Sequence, residues 1–363
     1  MNTEIKRFQY SICCKSENDI FFFTRFYSML MKLNLTDYKM EYVKDSKGRF
    51  MPFKDCADGI IIAGHIVYQL NNGGKSVLKF DMNAGTYREL NIDCDCKPWG
   101  NYAAYADYLD KLYIFPRYRK DVIVINKNTD EVKYDDSVKD KLKESKDYDE
   151  EMYWSQGCRK GDSVWLISND GKITISYSLI ENKISIYNLP IDIQKCSHFV
   201  VFDDLFYILD CMGNVYTWDT SKEKLLFSVS DAKYGEYGRL ALTNRNIYVL
   251  PSIGEDIYIY DRGNGKTRKY TDYPENFMYS KMNGWSKYYG YCEDNRNYYF
   301  AMRLSNYIPI IDKINGTLNW ISPQLPDMEE TLGTTVQNSI LFFSEEMWNL
   351  EEYINIVMNV SRE

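Results

Sequence analysis

A six-residue pattern, a polar turn pair followed by an apolar or aromatic run, recurs eight times along the 363 residues. The copies are NDIFFF (18–23), GHIVYQ (64–69), DKLYIF (110–115), DSVWLI (162–167), DLFYIL (204–209), RNIYVL (245–250), RNYYFA (296–301) and NSILFF (338–343). Successive copies start 46, 46, 52, 42, 41, 51 and 42 residues apart. A spacing in the low to middle forties is the length of four short strands with their turns, and eight copies nearly exhaust the chain. Nothing is left over for a second folded domain, so residues 1–363 read as one repeat array.

A second series runs in phase with the first. Leu33-Asn34, Phe80-Asp81, Ile125-Asn126, Tyr177-Ser178, Trp218-Asp219, Tyr260-Asp261 and Ile311-Asp312 each end a short alternating strand and enter a turn. A short Asx or Ser side chain can bond the backbone two residues on, and a following Gly or Asn tolerates positive φ, so these are hairpins. A further strand candidate precedes each hexad. With the four strands named A to D, seven complete blades are predicted at 8–43, 58–90, 102–134, 153–187, 197–229, 237–270 and 286–321. The eighth copy is truncated: Met347, Leu350, Ile354, Val357 and Met358, with Ser344 as N-cap, read as a short amphipathic helix over 344–358, with a C strand over Glu352–Met358 as the alternative. The expectation is an all-β ring of four-stranded antiparallel blades, eight by repeat count with seven as the alternative. Residues 135–151, dense in both charges, read as a solvated insertion between blades.

Val215-Tyr216-Thr217-Trp218-Asp219 has the form of the strand-C ending of a WD repeat, and Gly73-Gly74 comes near the paired glycine of a kelch repeat. On these residues and this period the chain resembles a β-propeller of the kelch-like and WD-like kind over essentially its whole length. Each motif occurs once, so the resemblance is one of fold and points to no specific family. It implies that the A strands line a central channel, and that the D–A and B–C loops share one face.

The net charge of −8 and the lack of a long Lys/Arg run argue against nucleic acid as a partner. The first residues carry no charged leader followed by a long apolar run, so neither a signal peptide nor a membrane span is expected. Nine cysteines, an odd number, mostly lie inside apolar runs, which fits reduced thiols in the cytoplasm. A monomer is expected.

Candidate ligand-binding residues follow from the predicted A-strand starts: Trp99, Tyr102, Trp154, Gln156, His198, Tyr237, Arg239, Trp285 and Lys287, with Arg117 and Arg119 from a B–C loop. Aromatic rings there would stack a sugar or peptide side chain, and Arg would hold a carboxylate or phosphate. The competing reading makes the tryptophans wedges between neighbouring blades. His65 and His198 are the only histidines, too few for a multi-His metal site, and Cys94-Asp95-Cys96 has no second thiol pair. Nucleotide-binding and common hydrolase motifs are absent, so no metal or cofactor is expected. These features point to a non-catalytic binding propeller whose D–A and B–C loops present a basic, aromatic face to a protein, peptide or glycan. The alternative is an enzyme acting on a small anionic or sugar-like substrate, with His198 and Arg239 as candidates.

Overall fold

A computed structural model of the chain describes residues 10–24, 30–44, 57–71, 75–92, 102–189, 193, 195–277, 287–302 and 305–324. They form seven four-stranded antiparallel sheets, each made of four consecutive strands in the order A-B-C-D. The sheets span 10–42, 57–91, 102–135, 154–188, 196–228, 237–269 and 288–321, within two residues of the predicted blades at every boundary. The chain is a β-propeller.

Strand B explains why the hexads are apolar throughout. A sheet standing radially in a ring has a neighbour on each face, so its inner strands are covered on both sides and lose the usual alternation. In blades 2 to 7 strand B is buried at its last five positions. Strand D, at the rim, is less covered: Thr86–Asn91 buries only Leu90, and Val132–Asp135 buries none of its residues. The C–D hairpins form as the Asx spacing demands. Asp81 Oδ1 accepts the N–H groups of Asn83 and Ala84, both at 2.9 Å, and Asn126, Asp219, Asp261 and Asp312 cap their turns in the same way. Gly85, Gly265 and Gly316 follow with φ of 63°, 71° and 67°.

Seven apolar clusters hold the ring, each joining two adjacent blades. One of them packs Cys13, Phe22 and Met31 of blade 1 against Tyr299, Ala301 and Ile308 of blade 7. The eight-blade count is therefore corrected to seven: blade 1 already covers the face of blade 7 that a further sheet would need. The hexad at 338–343 and the helix expected at 344–358 lie outside the described residues. No blade among them mixes strands from the two ends of the chain. The seam is tied by side-chain packing and by Gln324, whose backbone pairs with Tyr38 and Met40, both at 2.8 Å.

In every blade the A–B ladder slips by one residue at its start, between Tyr10/Cys13, Ala57/Gly59, Phe115/Pro116, Trp154/Gln156, Cys196/His198, Tyr237/Arg239 and Tyr288/Gly290. Such a bulge bends the strand and re-aims the side chains beyond it. Past the bulge, A-strand side chains alternate between the blade ahead and the blade behind. His198 and Arg239 reach forward to Leu240 and Tyr291, whereas Lys15 and Arg159 reach back to Asp294 and Tyr108. Where blades 3 and 4 approach, a Cβ on Gly157 would stand 2.5 Å from Leu166 Cδ2 and 2.6 Å from Ala104 Cβ, so the position needs glycine.

The charged stretch after blade 3 is anchored. Its helix α1 (Ser137–Leu142) buries Val138 and Leu142 in the cluster between blades 3 and 4, while Lys141 and Lys143 pair with Glu144 and Asp140 outside.

Candidate functional site

The A strands enclose a channel of about 1000 Å³. Its charge opposes that of the chain: the lining includes Lys15, Arg117, Arg159, Lys195 and Arg239 against Glu293, in a protein of net charge −8. Cations gathered inside low-dielectric walls focus the field and favour an anion. At the A–B turn end these charges are largely answered locally. Lys15 lies 3.3 Å from Asp294, Arg159 donates to the carbonyls of Gly161 and Asp107, each at 3.0 Å, and Glu293 receives Lys313 at 2.5 Å.

The D–A and B–C end is different. Arg117, Lys195 and Arg239 stand there on blades 3, 5 and 6, among Ser155, Gln156, Ser197 and Ser252. The Nε atom of Arg117 is buried with no hydrogen-bond partner, although its peptide carbonyl receives the Trp154 N–H at 2.8 Å. Arg239 lies 5.5 Å from the ring centre of Tyr291, a cation–π contact across the blade 6–7 junction. Tyr105 stands in the lumen from blade 3, 37% exposed to it, and desolvation between the channel walls pushes its hydroxyl upward in pKa, as it does that of Tyr291. These tyrosines are therefore neutral hydrogen-bonding groups at physiological pH.

His198 serves the ring. Its side chain is 1% exposed, its Nδ1 accepts the Leu240 N–H at 3.1 Å, and its ring sits edge-on to Tyr291 at 5.6 Å. The inner edge of an A strand has unpaired backbone groups, and a side chain of the neighbouring blade satisfies this one. Burial, then the charge of Arg239, hold the imidazole well below its ordinary pKa, so it stays neutral with the proton on Nε2. The unfolded chain takes up a proton on this residue below about pH 6.5 and the folded chain does not. Stability from His198 is thus present above pH 6.5 and is lost as pH falls below it. Urea unfolding at stepped pH should show this slope, and His198→Gln should flatten it; equal slopes in both proteins would refute the pin.

Four of the channel thiols are held neutral as well. Burial pushes Cys14 up to about 12 and raises Cys158, Cys196 and Cys292 as well, leaving them protonated and poorly nucleophilic near neutral pH. Among the described residues no three His, Cys, Asp or Glu side chains gather as a metal set.

Of the residues chosen from sequence, Arg117, Gln156 and Arg239 come together on the lumen. Trp154 is 1% exposed and packs in the cluster between blades 3 and 4. Tyr102 and Tyr237 border the mouth but are nearly buried, Tyr102 with its hydroxyl 3.4 Å from the Asn71 carbonyl oxygen. Lys287 is buried and donates to the Gly254 carbonyl at 2.6 Å. Arg119 forks onto Asp121 at 2.8 and 2.5 Å, away from the lumen. Trp99 and Trp285 lie outside the described residues. The basic character expected of the loop face thus concentrates in the channel, where Lys195, Tyr105 and Tyr291 join it; the alternation of each A strand beyond its bulge is the signal that would have found the two tyrosines.

No family model matches the chain, and no curated protein matches it in sequence. Solved structures do. PorZ, a bacterial surface component of the type-IX secretion system of Porphyromonas gingivalis, aligns with a TM-score of 0.55 at 12% identity, over 90% of this chain and 39% of its own. This chain therefore spans well under half of PorZ. A catalytically inactive virginiamycin B lyase from Staphylococcus aureus, solved with quinupristin, aligns with a TM-score of 0.58 at 11% identity, over 84% and 94% of the two chains. The Cps50 (Swd1) β-propeller domain of Myceliophteria thermophila gives 0.55 at 10% identity, over 89% and 100%. The likeness is one of fold. At these identities it carries no ligand or reaction across to this propeller.

Proposed function

We propose that this propeller is a non-catalytic binding protein that seats an anionic group of its ligand, on a glycan, peptide or protein, at the D–A and B–C mouth of its channel. The observation that carries the reading is the cationic lumen of an acidic protein, with Arg117, Lys195 and Arg239 at one end. Serine, glutamine and tyrosine groups around them suit a polyhydroxylated or peptide ligand. The absence of catalysis is supported by the chemistry of the groups present: His198 is committed to Leu240, burial holds the Cys158 and Cys196 thiols protonated, and Glu293 is paired with Lys313. We also propose a cytoplasmic location, a reading supported by six cysteines free of disulfides among the described residues, and a monomeric state.

Calorimetric titration with hexuronates, sugar phosphates and acidic peptides, each beside its neutral counterpart, tests the proposal. The anionic member should bind more tightly and lose affinity with salt. Arg239→Ala should weaken it about tenfold or more, as for a charge-assisted hydrogen bond of roughly 1.5–3 kcal/mol. Equal binding of charged and neutral partners, or none by any of them, would refute it.

A further inference from the structure

One junction of the ring differs in chemistry from its neighbours. Where two blades meet at the channel, a side chain reaching forward from one A strand meets a side chain reaching back from the next. Cys14 shares a cluster with Ile60 in this way, Cys158 with Phe199, Val200 with Leu240, and Ala241 with Tyr291. At the closing seam the equivalent positions are held by Cys292, opposite Tyr299 in its ladder, and Cys13, opposite Phe22. Both belong to the cluster that joins blade 7 to blade 1. Cys13 Sγ lies 4.0 Å from the Tyr299 carbonyl oxygen, and the Cys13 thiol, packed in the same cluster as Cys292, adds to the effect of burial in raising the Cys292 pKa. Cys14, adjacent in sequence, faces the other way, into the cluster shared with blade 2. The channel borders all three residues and gives a small reagent a path to them.

We infer that Cys13 and Cys292 are an oxidisable pair, which a peroxide or a small-molecule disulfide entering the channel converts into a bond stapling the first blade to the seventh. Because burial holds Cys292 protonated, Cys13 is the thiol that attacks the O–O bond of a peroxide, becoming a sulfenic acid and releasing water. The second thiol then displaces the sulfenic oxygen as another water. One S–S bond replaces two S–H bonds, and the two electrons reduce the peroxide. With a small disulfide the same electrons are carried away by two released thiols. The location gives the bond its effect. No shared strand joins the ends of the ring among the described residues, and the staple would close a loop of about 280 residues, near the top of the range for chain-entropy stabilisation.

The test uses the full chain, treated with hydrogen peroxide or oxidised glutathione, blocked with an alkylating reagent and mapped by mass spectrometry without reduction. The expected product is an intramolecular link between the peptides carrying Cys13 and Cys292, with Tm raised by roughly 5–8 °C and restored by dithiothreitol. Cys292→Ala should lose both the link and the shift, and Cys14→Ser should keep both. A link between Cys13 and Cys14, a link between chains, sulfinic acids in place of a disulfide, or two untouched thiols in the oxidised wild type would each overturn the inference. Because the map is made first on the wild-type chain, a variant that folds poorly does not blunt the test.

Discussion

Trp154→Ala is expected to lower Tm by roughly 4–7 °C. The indole is among the largest fully buried side chains and packs with Phe115 of blade 3 and Leu166 of blade 4. Truncating a buried Trp to Ala removes about 3–5 kcal/mol, since the rigid strands around it cannot collapse into the space. A chain of this length has an unfolding entropy on the order of 0.8 kcal/mol per kelvin, which converts that loss into the stated shift if the ring unfolds cooperatively. Trp154→Phe should give a smaller decrease, because most of the wedge survives. Scanning calorimetry of both variants decides the point. An unchanged Tm for Trp154→Ala would mean that the ring does not hold the junction and would return this residue to the candidates for ligand stacking.

The second large effect is kinetic. Cys14 is raised from 9.0 to about 12 by burial, so its thiolate fraction at pH 8 is lower by roughly a thousandfold than that of the ordinary thiol. Cys158 and Cys196 are raised further for the same reason. Iodoacetamide at pH 8 should therefore modify these three cysteines at least about a thousandfold more slowly in the folded protein than in the urea-unfolded chain. The same shifts fix the sign of the alkaline response. The unfolded thiol releases its proton as pH passes 9, whereas the folded Cys14 holds its proton until about 12. Stability from this residue is complete below pH 9 and declines steadily above it. Alkylation of Cys14 in the native state at the unfolded rate would show that its thiol is not held in its neutral form.

How far the site could be read in advance differed from residue to residue. Arg117, Gln156 and Arg239 were accessible because the bulge and the strand starts recur at a fixed distance from each hexad. Trp154 and His198 were equally visible as residues, yet their roles were not. Whether a ring at an A-strand start faces ligand or the neighbouring blade depends on one step of side-chain alternation, and composition near the strand start does not encode that step. Arg119 shows the same limit at shorter range, since the carboxylate of Asp121 that engages it lies only two residues on.

The sequence by itself determined the blade. Continuous apolar runs marked the doubly covered B strands, Asx turns marked the C–D hairpins, and both signals are local, so they survive in a single chain without any knowledge of its neighbours. Only the tertiary structure decided the number of blades, the charge of the lumen and the pairing of Cys13 with Cys292. Each of these depends on which strands meet after the ring has closed, and residues 13 and 292 become neighbours through the packing of blade 1 on blade 7. A repeat count reports how many copies the chain carries, whereas the seam is set by the geometry in which seven radial sheets already cover one another's faces.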